Sequence, residues 1–191
     1  MEKTGISAEY ARRLYDDVLG WYHSADTKAQ VVLGIDGAFV AFLASGIFAK
    51  PEDLRKIIAL FSPWTWLLLC TMVVGLLASI LAAIYCLWSR IYSREDLREI
   101  LQQKKKAGAG RATPQVMWFF QLIAALEMET FRSALSHVSE EFELESMAWE
   151  IHVLSGNVRK KHRAANLGFL FAAVTLSLFL FAGISYVAAA R

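Results

Sequence analysis

The sequence predicts an all-α membrane protein: three transmembrane helices, an N-terminal amphipathic helix, and a long cytosolic helical insert between the second and third spans. Three observations predict it. Of 191 residues, 56% are hydrophobic, and the mean hydropathy is +0.38. Charges are nearly absent from three blocks, 31–49, 64–88 and 164–190. The last two exceed the run of about 18 apolar residues that marks a spanning helix. Between the blocks, apolar residues recur three and four apart, the period of a helix face. The expected organisation is an N-terminal cytosolic helix over 1–30, a transmembrane hairpin over 31–88, a cytosolic sensing region over 89–163 and a third span over 164–191.

Residues 6–29 have the pattern of an amphipathic helix capped by Ser7, with Ile6, Tyr10, Leu14, Val18 and Trp21 on the apolar face. Its polar face, with Arg12, Arg13, Asp16 and Asp17, is not rich enough in Lys and Arg for a helix lying on the bilayer. Contact with other helices is the expectation. The charged turn Asp26-Thr27-Lys28 then runs directly into the first span, which carries the acid Asp36. Gly37, Ala41 and Ser45 form a small-residue row there, with Gly34 and Ala38 as a second row. Such rows allow close helix approach. The second span opens on Ser62-Pro63-Trp64-Thr65-Trp66, a proline in the first turn beside interfacial tryptophans, and carries the row Gly75, Ser79 and Ala83. Both cysteines, Cys70 and Cys86, fall in this span and are expected to be buried hydrophobes.

Arg90 to Gln103 is expected to continue the second helix into water, and Lys104 to Gly110 to break it. Thr113-Pro114 then has the form of a new helix start. Two apolar stripes follow: Phe131, Leu135, Val138 and Phe142, then Leu144, Met147, Ile151, Leu154 and Val158. No Gly or Pro separates them, so one long helix with a stutter is expected. Ten basic residues flank the insert near the membrane, against three in the 50–63 connection. This asymmetry places the N-terminus and 89–163 in the cytoplasm and the C-terminus outside.

No cleavable signal peptide is expected, because charges of both signs fill the first 30 residues. A net charge of +2 gives no reason to expect a nucleic-acid partner. There is no phosphate loop, no Gly-x-Ser-x-Gly elbow and no pair of His at metal-ligand spacing. The chain is therefore not expected to be an enzyme or to hold a metal or cofactor. Asp36 has three readings: an intramembrane functional group, a packing residue hydrogen-bonded to another helix, or a residue near the interface of a span that begins late. Asp26 and Lys28, two apart, cannot pair along one helix face, so each is expected to make its own contact. Lys28, Arg90, Arg159, Lys160, Lys161 and His162 form a basic collar at the cytosolic boundary. It suits anionic lipid, or a phosphate-bearing ligand.

The tract Ala25-Asp26-Thr27-Lys28-Ala29 through Asp36 resembles the Asp-x-Lys-Ala signature that opens the first membrane helix of the Pycsar transmembrane effectors. Leu154 to Arg163, with Lys161-His162, resembles the Lys-Tyr or Lys-His segment before that family's last span. The layout agrees over nearly the whole chain. Asp36 departs from the pattern, since many relatives are expected to carry Asn there. The resemblance implies a bacterial inner-membrane anti-phage effector that responds to cyclic CMP or cyclic UMP made by a pyrimidine cyclase. It would then oligomerise or rearrange, impair the membrane and stop growth. Lys28, Arg90, Arg159, Lys160 and Lys161 would bind the ligand, and Trp118, Phe119, Phe120 and Trp149 would offer rings to stack on its base. Asp36, Gly37, Ala41 and Ser45 would serve a pore or helix packing. The rival reading is a membrane-anchored module that docks a soluble partner without a pore. A transporter subunit is disfavoured, because no internal repeat or broken helix pair is evident.

Overall fold

The computed structural model of the chain describes residues 8–49, 52, 57–88 and 114–189, and every regular element among them is helical. In chain order these are α1 (Ala8–Ala49), α2 (Pro63–Leu87), a 3-10 turn (Pro114–Val116), α3 (Phe120–Ala124), α4 (Met128–Leu135) and α5 (Glu140–Ala189). Three of them, α1, α2 and α5, are long and apolar enough to cross a membrane. The chain divides into two compact units, one of His23–Trp88 with Arg159–Arg191, the other of Met1–Tyr22 with Ser89–Val158. We call them the membrane unit and the insert unit.

In the membrane unit all three helices bury a seam spaced alternately four and three residues. On α1 it is Ala25, Ala29, Val32, Asp36 and Phe39. On α2 it is Met72, Leu76, Ser79, Ala83 and Cys86, and on α5 Lys161, Ala165, Gly168, Ala172 and Thr175. This alternation is the seam of helices packed close to parallel, knobs into holes. Most of the buried residues are small, whereas Phe42, Leu67, Val74, Leu81, Leu170 and Phe181 are more than half exposed. A water-soluble bundle would bury those large side chains and show the small ones. In lipid, close backbone approach and hydrogen bonds hold helices together instead, and the large residues face the acyl chains.

Packing changes along the unit. At the Asp26 end Ala25, Ala29, Val32, Ala83, Cys86, Ala164 and Ala165 form a thin layer. Farther along, Phe39, Met72 and Leu76 pack with Leu43, Leu69, Ile80, Leu178 and Phe179, and the Phe39 and Phe179 rings meet edge-on at 5.3 Å. At the far end Thr65 Oγ1 lies 2.9 Å from Ser185 Oγ. Helix α2 starts there on an extended Ser62, whose Oγ accepts from Thr65 N at 3.1 Å, with Pro63 in the first turn.

In the insert unit Ala11, Val18, Val116, Leu122, Met147 and Val158 are buried. Arg12 grips Glu143 through a two-pronged contact, Nη2 at 2.7 and 2.8 Å from the two carboxylate oxygens and Nε at 2.9 Å. The Tyr15 and Trp118 rings meet edge-on at 5.7 Å.

Several expectations are corrected. The expected single helix is broken inside the first stripe: α4 ends at Leu135 and α5 begins at Glu140, so Phe142 shares α5 with the second stripe. The reason is a cap. Ser139 Oγ accepts from Phe142 N at 3.1 Å, and Glu140, Glu141 and Glu143 follow in the first turn, where the helix dipole favours acids. As the stripe through Leu154 and Val158 implies, α5 runs on through Gly156-Asn157 into the third span. Tyr10 and Trp21 are exposed, because the buried face of α1 there passes through Ala11 and Val18. Cys86 is buried but Cys70 is exposed on the outer face of α2. Helix α2 ends at Leu87, with Trp88 extended. The Ser7 cap, Arg90 to Gln103, the Lys104 to Gly110 breaker and Thr113 lie outside the described residues.

Candidate functional site

Polar contacts at two levels link the helices around the seam of the membrane unit. At the Asp26 end Lys161 Nζ donates to Asp26 Oδ1, joining α5 to α1 across 135 positions of sequence. The Lys161 side chain is 6% exposed and that of Asp26 24%, so the ammonium is sealed while the carboxylate keeps a way to the surface. Beside them Cys86 Sγ donates to Ala25 O at 3.5 Å, which brings α2 to the same level. Alanines at 25, 29, 83, 164 and 165 let the three backbones come close enough for these contacts.

The second contact lies ten residues farther along α1. Ser79 Oγ on α2 is 2.6 Å from Asp36 Oδ2 and 3.0 Å from Gly168 O on α5. One hydroxyl hydrogen thus serves two acceptors on two other helices. Gly168 makes room for it, since a Cβ there would stand 3.3 Å from Val32 Cγ1 and 3.6 Å from Ser79 O. A Cβ at Gly75 would stand only 2.8 Å from Thr175 Oγ1, which is itself buried without a hydrogen-bond partner. Asp36 is 2% exposed and faces this interior.

The residues singled out in the sequence fall into three groups. Ala29, Asp36 and Lys161 are buried in the seam, Asp26 stands at its edge, and the row Gly75, Ser79 and Ala83 is buried on α2. Arg159 and Lys160 are exposed and Lys28 and His162 partly exposed. Asp26 touches Lys161, and α-helices rise about 1.5 Å per residue, so Lys28, Arg159 and Lys160 all stand within about one turn of that pair. Gly37, Ala41 and Ser45, with Gly34 and Ala38, face outward from the unit. Of the rings, Trp118 and Phe119 are partly buried and Phe120 and Trp149 exposed, all in the insert unit, and Arg90 lies outside the described residues.

Ser79, Gly168 and Thr175 were not singled out for their polar roles. A signal existed: Ser79 and Thr175 are hydroxyls within spans that are otherwise apolar, and such groups bond across helices. The Asp26–Lys161 partnership was foreshadowed only by opposite charges before two different spans. In the insert unit, Glu150 is partly buried, and burial pushes its carboxyl pKa upward. Burial, then the charges of Glu150 and Asp16, push the Tyr15 hydroxyl pKa upward too. Ser146 Oγ is fully buried there and has no hydrogen-bond partner.

The profile of one protein family, PycTM, described as the Pycsar effector protein domain, matches residues 10–189. No curated protein and no solved structure matches the chain.

Proposed function

Because the chain belongs to the Pycsar effector protein family, which makes it an anti-phage defence effector, we propose that it responds to cyclic CMP or cyclic UMP by impairing the bacterial inner membrane. The observation that carries this reading is the family match over three helices able to span a bilayer. The signal comes from a pyrimidine cyclase, and the outcome is growth arrest or abortive infection. No catalytic step is involved.

The ligand carries one negative charge, and Lys28, Arg159 and Lys160 supply cations at one level of the membrane unit. The positive-inside bias puts that level, the N-terminus and the insert in the cytoplasm, and the C-terminus in the periplasm. The seam of the membrane unit is filled by its own side chains, so ions need a rearranged or multi-chain assembly. The outward row Gly37, Ala41 and Ser45 offers a second copy a close approach. Rearrangement reaches the span through α5, which is one helix from Glu140 to Ala189.

The test is growth of cells carrying the effector with a pyrimidine cyclase. Wild type arrests growth when the cyclase is active. Lys28→Ala and the double variant Arg159→Ala/Lys160→Ala remain in the membrane fraction and lose the arrest. Full arrest in both overturns the reading. The anchor without a pore keeps one observation in its favour, the engagement of Asp36 by Ser79 inside the unit. An altered ion leak in Asp36→Asn supports an ion path, and an unaltered one supports the anchor.

A further inference from the structure

We propose that the Asp26–Lys161 ion pair is the latch of the resting state, and that an arriving anion opens it by competing with Asp26 for Lys161. The inference rests on the nucleotide reading above for the identity of that anion. Its structural basis is independent of it.

A buried ion pair is poor glue. Desolvating both charges offsets most of their attraction, yet removing one partner strands the other and is strongly unfavourable. A contact of that kind adds little to a permanent fold, but it separates two arrangements sharply when a competing charge is supplied. The pair also lies where the membrane unit is easiest to part. Around it the layer is built mainly of alanines with Cys86 and Val32, edged by Leu33 and Leu87, and most of these side chains have few atoms to lose from contact. At the level of Phe39 the helices are held by Met72, Leu76 and Phe179, which offer many. Opening at the Asp26 end therefore breaks this ion pair and the thinner of the two layers, and leaves the aromatic layer as a hinge.

The asymmetry of the pair fixes how an anion acts. Lys161 is closed off on its own helix side, whereas Asp26 is the partner that reaches the surface. Lys28, Arg159 and Lys160 lie within two residues of the pair along their own helices, at its level in the membrane unit, and none of them is buried. A phosphate held by them sits next to the Asp26 carboxylate, repels it, and attracts the Lys161 ammonium. The carboxylate turns outward, the ammonium keeps an anionic partner, and α1 and α5 part at this end.

The test uses the purified full chain in liposomes of phosphatidylethanolamine and phosphatidylglycerol loaded with potassium. Leak is measured first with no nucleotide present. Asp26→Asn and Lys161→Gln are expected to leak about tenfold faster than wild type, as when an open state of about 10% becomes the main one. The swap Asp26→Lys/Lys161→Asp restores the pair and is expected to return leak to the wild-type level. Single variants that insert and stay as tight as wild type overturn the latch, as does a swap that leaks like the singles. Failure of singles and swap alike to insert also overturns it, because the pair is then a folding requirement. Cyclic CMP and cyclic UMP are added last. A wild type unresponsive to both, beside leaking singles, overturns the nucleotide reading and leaves the latch standing. A responsive wild type beside silent singles does the reverse.

Discussion

Ser79 shows how much one hydroxyl holds in a membrane interior. It faces Asp36 at 2.6 Å and Gly168 O at 3.0 Å, so its loss leaves a buried carboxyl without its donor. Ser79→Ala should cost about 1 kcal/mol, the scale of interhelical hydrogen bonds in bilayers, read as a lower melting temperature in detergent. Gly75 makes the steric counterpart. Gly75→Ala puts a methyl 2.8 Å from Thr175 Oγ1 and should cost about 1–3 kcal/mol as an overpacked contact. Adding Thr175→Ala removes that oxygen and should restore most of the loss, a non-additivity that melting of the four proteins measures. Glu150 gives a pH dependence. Burial raises its folded pKa above the ordinary 4.5, so the folded chain holds this proton more tightly than the unfolded chain. Its contribution is therefore complete below pH 4.5 and is lost as pH rises through the raised folded value. Glu150→Gln should flatten that decline and melt higher than wild type at neutral pH.

At the scale of elements, the ends of helices decide what was legible. The three spans could be read directly, because a bilayer demands long apolar runs and tolerates little else. The start of α2 was equally plain in Ser62-Pro63. The break before α5 was not, since only Ser139 and the acids after it mark it, and no Gly or Pro announces it. Helix faces were harder still. The row Gly75, Ser79 and Ala83 is the buried seam of α2, while the similar row Gly37, Ala41 and Ser45 on α1 points outward. Small residues allow a close approach on either face, and only the partner's position selects one. The same ambiguity hid the Asp26–Lys161 contact: each residue was visible, but their pairing needs α1 and α5 side by side. Among exposed contacts, the forked Arg12–Glu143 pair links α1 to α5 in the insert unit. Its Arg12 side chain is 60% exposed. Arg12→Ala should therefore cost less than about 1 kcal/mol, with the difference shrinking in high salt.

For the whole molecule, composition and family agree on a multi-pass membrane protein of anti-phage defence. The membrane unit has most of its small residues and its buried polar groups inside and many of its large apolar residues outside, an arrangement suited to lipid. A bundle of that kind can be re-packed by modest changes in charge at one end. The proposed nucleotide-triggered role needs this property, since such an effector must stay harmless until its signal arrives. The most direct measurement is dye release from liposomes containing the purified full chain, with cyclic CMP, cyclic UMP or cyclic AMP added in turn. Release on adding one of the pyrimidine nucleotides, and none with cyclic AMP, is the predicted result. Silence with all three from folded, inserted protein would contradict a nucleotide-triggered membrane effector and point to a docking anchor instead.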